Sequence, residues 1–314
     1  MARRRIPESV LDAAHARAAA REERDWAEAD RLRAEIETAG WRIVDRGTDF
    51  ALSPLNPPTL EADGVTRYGS SADVPSILDD APTAEATVVL VATEWPEDVG
   101  RALTALERHA PTGTHIVVVA DGPSEEQEAA VEGLAEDRRE FVWTSARLGH
   151  AAALNAGIRR ARGSVVVLLD TSVEATGDLV TPLVDALADR DVGVAGGWGI
   201  VSADLRKFTD APAGEVDAIE GYVLAFRRDD VVTRGPLDER FRFYRNLDIW
   251  WSLVLRDEGP DETPRRALSV ELPAIRHEHR GWTSLPTEER DRLSKRNFYR
   301  IIDRFGSRRD LISG

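Results

Sequence analysis

Cysteine is absent from the 314 residues, which excludes disulfides, thiolate metal sites and a cysteine nucleophile. Long apolar runs are missing too. The longest extend about five or six residues, as at 165–169, against the ~20 that a bilayer-spanning helix needs. Met1–Arg5 is basic but no apolar stretch follows it, so no secretory signal is expected. With no such segment, the expected location is the cytoplasm. Neither G-x-G-x-x-G nor G-x-x-x-x-G-K-[ST] occurs, which speaks against the standard dinucleotide and P-loop modes. Positive charge is in deficit, with 41 basic and 56 acidic residues and a formal net charge of −15. Nonspecific nucleic-acid binding is therefore not expected.

The deficit is uneven. Residues 51–264 hold 19 basic and 38 acidic residues, whereas 265–314 hold 12 and 7. An acidic body thus ends in a basic tail. Apolar residues make up 42% of the chain, enough for a real core, and the length suggests about two domains.

At the N-terminus Leu11, Ala14 and Ala18, then Trp26, Ala29, Leu32 and Ile36, recur at helical spacing over 7–39. Pro7 suits the first turn and Gly40 the stop. The pattern admits one bent helix or a hairpin broken near 21–25. Punctuated by Pro54, Pro57, Pro58, Pro75 and Pro82, residues 51–86 read as a linker, either an ordered arm or loose chain. From Thr87 onward short β-branched runs alternate with helical patterns. Alternation of this kind predicts βαβ units, a mostly parallel sheet and helices on both faces. The expected division is a helical module over 1–50, a linker over 51–86 and an α/β domain over 87–314.

Ligands of open α/β sheets bind outside the carboxyl ends of the strands. Thr93 follows the first expected strand, Asp121 the second, and Asp170-Thr171-Ser172-Val173-Glu174 the strand at 165–169. Taken singly, each aspartate is equally well read as a helix cap or turn former. The series is more specific. Val88-Val89-Leu90-Val91 leads to Ile116-Val117-Val118-Val119-Ala120-Asp121-Gly122. Gly149, Asn155 and Gly157 then stand in a "G, five residues, N, x, G" segment, and Val166-Val167-Leu168-Leu169-Asp170 follows. This series resembles the nucleotide-binding half of family 2 glycosyltransferases, the GT-A fold, and the likeness runs over about 87–300.

The resemblance implies a sugar transfer from a nucleotide-diphosphate sugar, UDP-linked by preference, to an acceptor it does not identify. Asp121 would hold the base, with Thr93, Asn155 and Gly157 near the donor. Ordinary helix packing competes for Gly157, capping or packing for Asn155. Asp170 would open the family's D-x-D motif, which holds a divalent cation, Mn²⁺ or Mg²⁺, on the diphosphate. Here the second aspartate is Ser172, so one carboxylate is lost. His277 and His279 fall on one face if their segment is a strand, and either would supply a replacement ligand. Arg280 would face the diphosphate, with Arg276 beside it.

Gly235-Pro236-Leu237-Asp238-Glu239-Arg240-Phe241 resembles the family's approach to its catalytic helix. The usual Glu-Asp pair beyond it is Arg245-Asn246 in this chain, which leaves Asp248 as the base that an inverting transfer requires. A helix cap, or an ion pair with Arg245 or Arg256, is the competing role for Asp248. Trp250 and Trp251 suit either core packing or stacking on a sugar. The altered motifs also support a catalytically degenerate binding or scaffolding protein on the same fold. A nucleotidyltransferase ranks last, because Glu94, Glu97 and Asp98 stand where its basic glycine-rich loop belongs.

Residues 6–50 carry a different likeness. Arg21, Asp25-Trp26, Ala29-Asp30, Leu32-Arg33, Gly40 and Asp45-Arg46-Gly47-Thr48 resemble the C-terminal segment of cysteinyl-tRNA synthetases. No synthetase core accompanies it, so docking or homo-oligomerisation through these helices is the role implied. The basic positions Arg290, Arg292, Lys295, Arg296 and Arg300 are a solvated face, or a contact for an anionic acceptor or a membrane surface.

Overall fold

The computed structural model describes residues 6–46, 49–62, 64–92, 94–133 and 139–312. Its N-terminal part is the hairpin rather than the single bent helix. Helices Glu8–Glu22 and Trp26–Thr38 are joined by a turn in which Arg24 takes a φ of 61°, and the Asp25 side chain caps the second helix by accepting from Glu28 N. An antiparallel strand pair, Trp41–Arg46 with Asp49–Pro54, lies beyond the helices. Val10, Ala14, Leu32, Ile36, Trp41 and Ile43 bury one small core between them. The buried Arg17 reaches Asp45 at 2.7 Å. The strand pair was not expected from the helical pattern before it.

A ten-stranded sheet forms the main body. Its order is Gly214–Val216, Arg266–Ser269, Val192–Gly196, Val223–Arg227, Gly163–Leu169, Ala84–Ala92, His115–Ala120, Arg139–Thr144, Val65–Tyr68 and Leu60–Ala62. The run from Gly163–Leu169 through Val65–Tyr68 is parallel throughout. Val223–Arg227 enters antiparallel between Gly163–Leu169 and Val192–Gly196. Successive residues serve opposite faces, as pleating requires. Val89, Val117, Val119 and Val166 pack with helices His150–Ile158 and Leu247–Arg256. Val88, Leu90, Val118 and Val167 pack with helices Pro96–His109 and Thr181–Ala188.

The stretch read as linker is more structured than its prolines suggest. Two of its strands, Leu60–Ala62 and Val65–Tyr68, complete one edge of the sheet. The chain then runs back across the body as a strap. Arg159 Nε donates to Val74 O at 2.6 Å, Arg160 to Pro75 O at 2.9 Å and Arg228 to Leu78 O at 3.0 Å.

Candidate functional site

The chain leaves Arg139–Thr144 to place Gly163–Leu169 on the far side of Ala84–Ala92, so strand order reverses there. A cavity of about 490 Å³ opens beyond the carboxyl ends of these strands, where such a reversal leaves a crevice. Val91, Leu168 and Asp170 come from the strand ends. Helix Leu247–Arg256 contributes Asp248 and Trp251.

The far wall comes from the C-terminal segment. Ala274–Arg276 pairs antiparallel with Val173–Ala175, and His277 N donates to Ser172 O at 2.7 Å. That pairing carries His279 over Asp170, with Nε2 3.3 Å from Oδ2. The strand stops at Arg276, so the two histidines do not share a face as expected. His277 turns away to Glu174 at 2.7 Å. Asp170 is further held by Ser172, through its amide at 2.8 Å and its hydroxyl. Burial works to raise the Asp170 carboxyl, but the hydrogen bond and charge of His279 hold it below its ordinary value. Burial likewise works against the His279 cation, and Asp170 outweighs it and raises that imidazole.

Nδ1 of His279 accepts from Trp282 N at 3.1 Å, and the ring stacks on Tyr244 at 4.3 Å. The neutral ring therefore carries its proton on Nε2 and donates it to Asp170. A metal-ligating histidine has the reverse arrangement, with one bare nitrogen and the other donating. Asp170 suits a hard cation; His279 suits one only after giving up the Trp282 amide. Among the described residues no group of three or more His, Asp or Glu side chains stands ready to hold a metal.

On the opposite wall Asp248 accepts from Gly221 N and Ile249 N, both at 2.9 Å. Burial pushes its carboxyl above the ordinary value, against the pull of the Arg245 charge. Glu220 lies beside it and is raised by burial and by the Asp248 charge, while Arg276 at 3.2 Å opposes the shift. Arg276 also stacks on Trp198 and Tyr222, with its carbon 5.0 and 4.7 Å from the ring centroids. His150, enclosed in the wall, is pushed down to about 4 by burial and is neutral at pH 7. Glu220, Tyr222, Tyr244 and His150 were not singled out by sequence. The first two lead into an antiparallel strand, Val223–Arg227, whose direction no local pattern encodes.

Other expected positions lie elsewhere. Asp121 accepts from Leu148 N at 2.7 Å, Thr144 Oγ1 at 3.1 Å and Gly149 N at 3.2 Å, pinning the loop before helix His150–Ile158. Burial raises its carboxyl against these bonds. Asn155 is buried, bonding Leu237 N at 3.0 Å and Leu237 O at 2.9 Å. Gly157 packs helix onto sheet, since a Cβ there would sit 2.5 Å from Val89 Cγ1 and 2.8 Å from Val119 Cγ2. Gly157→Ala is therefore expected to lower stability by about 1–3 kcal/mol through overpacking, read by denaturant unfolding. Nucleotide affinity in the folded variant should stay unchanged; a selective loss of affinity would return Gly157 to the donor site. Arg280 is paired with Glu97 and Asp98, and Ser172 is buried against Asp170. None of these six, counting His277, lines the cavity, and Thr93 lies outside the described residues. Asn246 caps nothing with its side chain, which donates to Ser294 O at 3.0 Å, and Arg256 is engaged with the Asp217 and Leu311 carbonyls rather than with Asp248. Trp250 packs between Phe241 and Phe305.

The sequence model of glycosyl transferase family 2 matches residues 87–244, half of the chain. The chain belongs to that family. Its fold is GT-A. GalNAc-T7, solved with UDP, GalNAc and Mn²⁺, aligns at a TM-score of 0.57 and 16% identity. The alignment covers 72% of this chain and 49% of that one, so this family 2 chain spans about half the length of GalNAc-T7. The mannosyltransferase PcManGT of Pyrobaculum calidifontis, solved with GDP-Man and Mn²⁺, gives 0.47 and 21%, over 64% of this chain and 59% of its own. No curated protein matches in sequence. No helix among the described residues is long and apolar enough to cross a membrane.

Proposed function

We propose that this family 2 member transfers a sugar from a nucleotide-diphosphate sugar to an acceptor hydroxyl by single inverting displacement, with Asp248 as general base. The reading is carried by one observation: Asp170 and Asp248, oppositely tuned, face a single cavity at the strand-order reversal. A carboxylate whose pKa is raised by burial is a stronger base than a free one, suited to taking the acceptor proton. The acceptor oxygen then attacks the anomeric carbon, and the bond from that carbon to the diphosphate oxygen breaks with its electron pair. The leaving group carries away that charge, and Asp248 keeps the proton.

GalNAc-T7 holds UDP and Mn²⁺, and UDP is the favoured donor nucleotide here by that likeness. A divalent cation, Mn²⁺ or Mg²⁺, would neutralise charge on the departing diphosphate. Asp170 would be its protein carboxylate, the other positions going to phosphate oxygens and water, as is usual for such ions. Tyr244 and Trp282 hold His279 against Asp170 and fix the direction of its carboxylate.

The test is incubation of the full chain with UDP- and GDP-sugars and Mn²⁺, over a panel of glycoside acceptors and water. Release of nucleoside diphosphate from at least one donor is expected. Tight nucleotide binding without release from any donor would instead favour the degenerate binding protein. That second reading rests on Ser172, whose hydroxyl bonds Asp170 where the family has a second carboxylate.

A further inference from the structure

A second cavity, of about 470 Å³, lies behind the helix Leu247–Arg256. Asp248 and Trp250 are two positions apart, about 200° around a helix. The helix thus turns Asp248 to the first cavity and Trp250 to the second, and Trp251 borders both. Around Trp250 the second cavity is lined by Arg234, Arg240, Arg300 and Arg304, with Asp238 and Asp303. Asp230 and Glu258, which pair with Arg234, and Asp257, which faces Arg304, stand just outside this lining.

The arginines are not equally engaged. Arg240 is held by Asp238, through Nε at 2.9 Å and Nη2 at 2.6 Å. Arg234 is held by Glu258 and by the Val254 and Asp257 carbonyls. Arg304, by contrast, has one carboxylate contact, with Asp257 at 3.9 Å, and lies over the rings of Trp250 at 5.1 Å and Phe305 at 4.9 Å. Arg300 lies 5.7 Å from the Phe241 ring and donates to Arg296 O at 3.2 Å. Burial and the charges of Arg240 and Arg296 lower its pKa, and the attraction of Asp238 does not make up the difference. Stacking on an aromatic face fixes a guanidinium without using its N–H donors. Two oriented forks with donors to spare, at the mouth of a cavity with an indole wall, are suited to a phosphate.

We propose that this cavity binds the phosphate of a phosphomonoester, with Arg300 and Arg304 as its ligands. The proposal does not depend on the catalytic reading, since no residue named for the transfer lies among its ligands. The same chemistry is offered by a soluble phosphate ester or by a lipid phosphomonoester headgroup.

Calorimetric titration of the full chain with inorganic phosphate, at ionic strength matched with potassium chloride, tests the first source. Sedimentation with phosphatidylcholine vesicles, with or without phosphatidic acid, tests the second. Saturable phosphate binding is expected, weakened about tenfold or more in Arg300→Gln and in Arg304→Gln. It should persist in Asp170→Asn and with saturating UDP and Mn²⁺. Both arginine sites are partly exposed, so unliganded melting should stay near wild type. If either variant misfolds, Arg300→Lys and Arg304→Lys keep the charge and remove the fork. Arginine-dependent binding of phosphatidic acid vesicles without soluble phosphate binding assigns the lipid source. Binding of neither probe overturns the proposal, as does phosphate binding that survives both substitutions or that UDP displaces.

Discussion

Asp248→Asn is expected to lower kcat by about 10²–10⁴-fold, the usual contribution of a positioned general base. The amide has no lone pair basic enough to take the acceptor proton. The carboxylate's environment also fixes a pH signature. Asp248 sits above its ordinary value because burial disfavours its ionised form. It must be ionised to act, so kcat/KM falls as pH drops through that raised value, higher than the ~3.9 of a free aspartate. The same shift has a stability consequence of definite sign. A carboxyl with a raised folded-state pKa adds stability below its unfolded pKa and loses it as pH rises through the folded value. At neutral pH the ionised Asp248 is thus carried at a cost to folding, as befits a group kept for chemistry. A loss of less than tenfold in the variant, or an unchanged acid limb, removes Asp248 from the role of base.

Asp170→Asn is expected to abolish the cation-dependent part of nucleotide binding. In the wild type, UDP with Mn²⁺ at about a hundredfold excess over Kd should add about 2.7 kcal/mol of stability, seen as a rise of several degrees in Tm. The variant keeps the shape of the side chain but has only a neutral carbonyl to offer. His279→Ala makes the contrast. If Nδ1 stays engaged with Trp282 N, the imidazole is a positioning group, and most of the Mn²⁺-dependent rise survives its removal. Loss of the rise in His279→Ala, with retention in Asp170→Asn, would reverse the two roles.

Part of this site is legible in the sequence, and the reasons differ by residue. Asp170 is visible because an aspartate directly after an apolar β-branched run marks a strand end, and strand ends are where such sheets bind. Asp248 is visible because it opens a helix in a segment resembling the family's catalytic one. Period-two spacing groups His277 with His279, but the grouping holds only while the strand lasts, and Arg276 ends it. Glu220 depends on an antiparallel insertion that brings Val223–Arg227 between two distant strands, a pairing absent from local pattern. Asp121 is a different case. Its position is legible as a strand end, but the donors from Thr144, Leu148 and Gly149 that its oxygens accept come from a distant strand and loop that local pattern does not show. The parallel run at the centre of the sheet was the most legible part of the fold, because its strands are short, β-branched and evenly interrupted by helices. The edge pair at 60–68 was hidden, since three- and four-residue strands among prolines carry almost no pattern.

The strap across the body has a consequence for how this protein varies. Arg159, Arg160 and Arg228 grip it by the carbonyls of Val74, Pro75 and Leu78, groups that nearly every amino acid presents alike. At those three bonds the identity of the gripped residue is close to irrelevant, while the identity of each gripping arginine is decisive. The exposed Pro75 should therefore tolerate substitution, whereas Val74 and Leu78, packed on the core, should stay apolar and the three arginines, far from the strap in the chain, should not vary. A segment that reads as featureless is in this case one whose instructions are written somewhere else.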